Sequence, residues 1–157
     1  MENLSELVRR LTKADVEFVL VGGFAVASYG VDLVTRDVDI CCRFTAANLM
    51  RIQSAVHDLH PVHRSRPDIP LALTPTKCEG FKNLYLKTDL GALDCLSSVL
   101  GVGDFDTVAN RSIEVTISAG TIRLIDIDAL IDAKKAMNRP HDLVSISHLK
   151  LIKERLL

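Results

Sequence analysis

The segment "LVGGFAVASYGVDLVTRDVDI", residues 20–40, constrains this chain more than any other. A glycine pair ends one apolar run. Thirteen residues separate Gly23 from Asp37, and Asp39 follows it inside a second apolar run. Side chains alternate along a strand, so Asp37 and Asp39 share one face while Val38 and Ile40 point the other way, into a core. The segment therefore reads as strand, glycine turn, short helix and strand, with two anions side by side on the second strand. Neighbouring carboxylates repel, and such a pair needs a compensating cation. Mg²⁺ suits that role, because it favours carboxylates together with phosphate oxygens, and two-ion sites hold their ions roughly 3.5–4 Å apart. A hydrated pair at an exposed strand end is the plainer alternative.

A third carboxylate shifts the balance toward the cation. "GALDCLSSV" puts Asp94 inside an apolar run, where an aspartate is costly unless it is paired or ligates a metal. If that strand lies beside the one carrying Asp37 and Asp39, three acids converge. Asp89, in the "TDLG" turn, suits a structural role. Gly22 and Gly23, between a strand and a helix, suit a turn whose backbone N–H groups meet phosphate.

The rest of the chain is ordinary by comparison. Its 157 residues suffice for one domain with a core. With 48% hydrophobic and 25% charged residues, it has the composition of a soluble globular protein. A net charge of -1 argues against a broad duplex-binding surface but leaves room for a local basic cleft. No apolar run is long enough to span a membrane, and the charged start "MENLSELVRRLTKADVE" is unlike a signal peptide, so a cytoplasmic protein without membrane contact is expected. Cys41, Cys42, Cys78 and Cys95 form no C-x-x-C pair and read as buried thiols.

Apolar spacing predicts a helix over 2–13, a strand in "EFVLVGG", a short helix in "FAVASYG" capped by Gly30, and a strand in "DVDICCRF". Thr45 opens a helix in "TAANLMRIQSAVHDLH". Residues 61–80 carry four prolines and read as an irregular loop. "FKNLYLKTDLGALDCLSSV" reads as two strands, "SIEVTISAGTIRLI" as a hairpin, and "DIDALIDAKKAMN" and "PHDLVSISHLKLIKERLL" as helices. The expected fold is α/β (α+β): a small mixed β-sheet flanked by helices, one domain over 1–157 with a helical tail from about 126 to 157.

The pattern of Gly22, Gly23, Asp37, Asp39 and Asp94 resembles the nucleotidyltransferase superfamily, which includes polymerase beta and minimal bacterial members. The tail "DIDALIDAKKAMNRPHDLVSISHLKLI" is similar to helical tails of abortive-infection and toxin-type members. The resemblance implies Asp37 and Asp39 as the metal pair, Asp94 as the third acid, and Gly22 and Gly23 as the phosphate turn. It implies two Mg²⁺ ions, with Mn²⁺ as a substitute, and transfer of a nucleoside monophosphate from an NTP, ATP first, to an acceptor hydroxyl. RNA, protein or a small molecule such as an antibiotic are the candidate acceptors. The rival is a non-catalytic nucleotide-binding or toxin–antitoxin module on the same fold; a homodimer or a cognate antitoxin are the candidate protein partners. Phe24 stands where many members carry a hydroxyl residue.

Other residues fit less specific roles. Arg36 alternates away from Asp37 and either reaches a phosphate at the sheet rim or neutralises nearby acids. Lys134 is placed by the resemblance where a lysine meets nucleotide phosphates, with Arg139 close by, and a solvated helix face is the alternative. Asp142 suits a local pair with Arg139. His57, His60 and His63 are spaced by threes, but Pro61 interrupts the run, and a helix end leading into a polar loop is expected rather than zinc. Lys77, Lys82 and Lys87 are expected to be exposed, with a place beside a phosphate-bearing acceptor as the alternative.

Overall fold

The structure is a computed structural model that describes residues 2–156. Asn3 accepts a hydrogen bond from the Glu6 backbone N–H and so caps α1 (Leu4–Lys13), whose Leu7, Val8 and Leu11 are fully buried. Each such side chain withdrawn from water stabilises the fold by about 1.5–3 kcal/mol. The chain then enters β1 (Phe18–Val21), buried along its length, and turns at Gly22 into α2 (Gly22–Ser28). Tyr29 pins the end of that helix by donating its hydroxyl to the Ile125 carbonyl at 2.6 Å, and burial pushes its phenol up to about 12.

An extended stretch leads to β2 (Asp37–Cys42), and Thr45 then caps α3 (Ala46–Val56) through the Asn48 N–H. Next come β3 (Val62–His63), β4 (Arg66–Pro70), α4 (Pro75–Cys78), β5 (Asn83–Thr88) and β6 (Gly91–Leu96). A small ribbon of β7 (Ser98–Val99) and β8 (Gly103–Asp104) precedes α5 (Phe105–Asn110), the hairpin β9 (Ser112–Ile117) and β10 (Gly120–Ile125), and the helices α6 (Ile127–Met137) and α7 (Pro140–Leu156).

The eight-stranded sheet runs β4-β3-β5-β6-β2-β1-β10-β9. It is mixed: β1 pairs in parallel with β10, β2 in parallel with β6, and the remaining neighbours are antiparallel. Val38, Ile40, Leu84, Leu86, Leu93 and Cys95 are buried on one face, where α1 and α3 pack together. The opposite face of β2, β6 and β5 carries the polar positions. All four cysteines are buried free thiols, as expected.

Two departures from the sequence reading stand out. Residues 61–80 are not an irregular loop but contain β3, β4 and α4. Pro67 and Pro70 are tolerated because β4 is an edge strand exposed at every residue, where a missing N–H costs no ladder bond. The short α5 was also unforeseen; Asp104 caps it by accepting from the Thr107 N–H.

Candidate active site

Parallel pairing of β2 with β6 sets Asp39 directly opposite Asp94 and Asp37 opposite Ala92. Residues in register point to the same face, so Asp37, Asp39 and Asp94 converge. One carboxylate oxygen from each lies within 4.8 Å of the other two. Asp39 Oδ1 is buried and accepts no hydrogen bond; Asp94 Oδ1 accepts none of good geometry either. Burial, with the charges of Asp94 and Asp37, raises the Asp39 carboxyl to about 7. Burial also raises Asp94, against the opposing pull of Arg64. Three hard oxygen donors, with the buried Asp39 Oδ1 left without a partner, fit a divalent cation.

The glycine turn is built for this neighbourhood. Gly22 has φ +70°, a left-handed conformation that favours glycine. A Cβ there would also collide with the Asp39 carboxylate, lying 2.7 Å from its Cβ and 2.8 Å from its Cγ. At Gly23 an added Cβ would face Thr35 Oγ1 at 3.2 Å and Leu33 beyond it. The side of Gly23 that lacks a side chain thus faces the 31–36 segment. Phe24 is half-buried against the core.

Beside the acids lies a cavity of about 410 Å³ lined by Val21, Gly22, Asp39, Tyr85, Lys134 and Arg139, among others. Its volume is in the range of small-molecule sites. Lys134 is buried, and its charge acts on Asp39 to lower the carboxyl, against the larger effect of burial. Its Nζ lies 3.6 Å from Oδ1 of the fully buried Asp142. Arg139 donates from Nε to Asp142 Oδ2 at 2.7 Å and from Nη2 to Oδ1 at 3.1 Å. Asp142 therefore anchors two cations at the cavity wall, one of them through the local Arg139 pair that the sequence suggested.

Arg36 does not join this group. It is exposed, has no ion pair among the described residues, and is not among the residues lining the cavity. The histidines diverge: His57 Nδ1 meets the Ser54 carbonyl, His60 pairs with Asp89 at 2.6 Å, and His63 stacks on Phe81. Lys77, Lys82 and Lys87 are exposed.

Sequence reading missed Arg64 and Tyr85. Arg64 Nη1 lies 2.8 Å from Asp94 Oδ1 and donates to Oδ2 at 3.1 Å, while its guanidinium sits 5.2 Å from the centre of the Tyr85 ring. Nothing in "HRSRP" signals this contact, which spans thirty residues of sequence. Tyr85 was findable, since strand alternation and the antiparallel register place it beside Asp94.

The overall fold is shared with several solved structures, among them one assigned to the nucleotidyltransferases. The chain matches the solution structure of the antibiotic-resistance factor ANT(2'')-Ia with a TM-score of 0.59 at 14% identity, over 98% of this chain and 84% of that one. The crystal structure of ANT(2")-Ia in complex with adenylyl-2"-tobramycin matches with a TM-score of 0.57 at 11% identity, over 97% and 93%. A Thermotoga maritima protein assigned to the nucleotidyltransferases matches with 0.53 at 13% identity, over 98% and 89%. No family model matches the chain, and no curated protein matches its sequence. No helix among the described residues is long and apolar enough to cross a membrane.

Proposed function

We propose that this protein transfers a nucleoside monophosphate from Mg²⁺-NTP, with ATP as the first candidate, to an acceptor hydroxyl. The observation that carries this reading is the convergence of Asp37, Asp39 and Asp94 beside a cavity bordered by Gly22 and Lys134. The adenylylated antibiotic in one neighbouring structure supports adenylyl transfer on this fold. The buried Asp39 Oδ1, which has no partner, argues against a non-catalytic module, because an abandoned site has no reason to keep its desolvation cost.

Asp37 and Asp39 would hold the ion that accompanies the triphosphate, and Asp94 would join them at a second. Bound there, Mg²⁺ neutralises phosphate charge and acts as a Lewis acid. The Gly22–Gly23 turn would present backbone N–H groups to phosphate, and Lys134, which lines the same cavity as Gly22, would offer an ammonium. Tyr85 and neighbouring apolar residues border the space for the nucleoside. The acceptor oxygen bonds to the α-phosphorus as the bond to the β-phosphate oxygen breaks, and pyrophosphate leaves. The alternative role for Asp94, on the acceptor side, is general base, in which it would take the hydroxyl proton. Most of the rate gain comes from positioning and charge neutralisation.

The test is incubation with α-labelled NTPs, Mg²⁺ or Mn²⁺, and RNA, protein and small-molecule acceptors. Label should appear in one acceptor class with stoichiometric pyrophosphate, and chelation or Asp37→Asn should abolish it. Absence of transfer under all these conditions would reject the reading.

A further inference from the structure

Arg64, Tyr85, Asp94 and Asp39 form one row across the sheet, through the turn after β3 and then β5, β6 and β2. The Arg64 N–H donates to the Tyr85 carbonyl, Tyr85 is in register with Asp94, and Asp94 is in register with Asp39. Arg64 spends only Nη1 on Asp94. Its Nε and Nη2 make no hydrogen bond among the described residues, and the side chain is 40% exposed. A guanidinium edge with two parallel donors is therefore free, held in place by a carboxylate on one side and an aromatic ring beneath it. Such a fork matches two oxygens of a phosphate.

The position of Arg64 separates it from the nucleotide's own cations. Lys134 and Arg139 line the cavity; Arg64 does not, and it touches Asp94 from the β3 side, beyond Tyr85. Lys87, in register with Ala92 and so with Asp37, adds a second exposed cation on the same face. The nearest acid on the β3–β4 hairpin, Asp68, faces Arg66 at 3.4 Å. A polycationic acceptor would meet like charge on this side; an acceptor carrying phosphate near its hydroxyl would not.

We infer that Arg64 forms an acceptor subsite, selecting acceptors with a phosphate group adjacent to the reacting hydroxyl, as in a nucleotide or the 3′ end of an RNA. This rests on the nucleotidyl-transfer reading but is tested by binding rather than turnover. The probes are a short RNA oligonucleotide with a free 3′-hydroxyl, a nucleoside 5′-monophosphate and tobramycin. Each is titrated into the protein saturated with Mg²⁺ and a non-hydrolysable ATP analogue. The wild type should bind a phosphate-bearing probe more tightly than tobramycin. Binding of both the oligonucleotide and the monophosphate marks a subsite for the phosphate itself; binding of the oligonucleotide alone marks an RNA end. Arg64→Ala should weaken that probe about tenfold or more, Arg64→Lys should restore part of the loss, and affinity for the ATP analogue should stay within about threefold. Lys150→Ala, an exposed charge on α7, is the control and should change neither. The inference is overturned if tobramycin binds best, if neither phosphate probe binds, or if Arg64→Ala weakens the ATP analogue instead. A protein that fails to bind the ATP analogue at all contradicts the proposed function, while the Arg64 comparison can still be read from the probes alone.

Discussion

Gly22 and Asp39 occupy each other's space: a side chain on the glycine would overlap the carboxylate that lies against its backbone. The antiparallel β1–β2 ladder, with Val21 opposite Asp39, delivers this contact. Gly22 is therefore needed by the acid as much as by any phosphate. Gly22→Ala should displace Asp39, add about 1–2 kcal/mol of left-handed backbone strain, and lower the transfer rate at least ~10²-fold. Gly23→Ala, with only Thr35 to accommodate, should cost much less. Mg²⁺ titration and single-turnover rates for both variants check the order; equal losses would remove Asp39 from the explanation.

Metal-free stability should depend on pH through Asp39. Its carboxyl is raised in the folded state to about 7, chiefly by burial. A raised folded value means the folded state binds the proton more tightly than the unfolded chain does. The associated stability is fully present below the unfolded carboxylate range and is lost as pH rises toward and through about 7. Asp39→Asn removes the ionisation and should stabilise the metal-free protein at pH 8 by about 1–3 kcal/mol, with little effect at pH 4. Chemical denaturation in chelator at the two pH values measures this; a flat difference would contradict it.

Asp94 separates binding from chemistry. Asp94→Asn should leave Mg²⁺-NTP affinity nearly intact and lower the transfer rate at least ~10²-fold, the size of losing a positioned acid–base or metal contact. Asp39→Ala should weaken both steps. Nucleotide affinity and single-turnover rate, measured on each variant, decide the matter, and normal turnover in Asp94→Asn would make Asp94 structural.

The acids were legible because the physics that places them is local and periodic. Alternation puts Asp37 and Asp39 on one face, and an aspartate inside "ALDCL" announces a special environment. Only the register was missing, and the β2–β6 pairing supplies it. Residues 61–80 were misread because proline signals a loop in sequence but is equally at home in an exposed edge strand. Arg64 was lost with that segment. Lys134 was placed by its helix, but its burial follows from Asp142, whose environment only the packing of α6 against α7 creates.

That last contact yields the strongest test of the cavity wall. Asp142 is fully buried between Lys134 and Arg139. Burial raises its carboxyl, but the Arg139 hydrogen bonds and the Lys134 charge overcome this and leave it below the ordinary value. Asp142 thus stays ionised and holds both cations toward the cavity. Removing it leaves a buried lysine beside an arginine with no counter-charge, so Asp142→Ala should destabilise the protein by about 3–5 kcal/mol. Lys134→Met removes the ammonium but keeps a long apolar side chain, and Arg139 still satisfies Asp142. That variant should fold, lose much less stability, and bind Mg²⁺-NTP about tenfold more weakly, as expected for one lost phosphate contact. Thermal unfolding and calorimetric titration read the two effects separately. Unchanged nucleotide affinity in a folded Lys134→Met variant would reduce Lys134 to a structural partner of Asp142, and the triphosphate would then have to find its cation elsewhere.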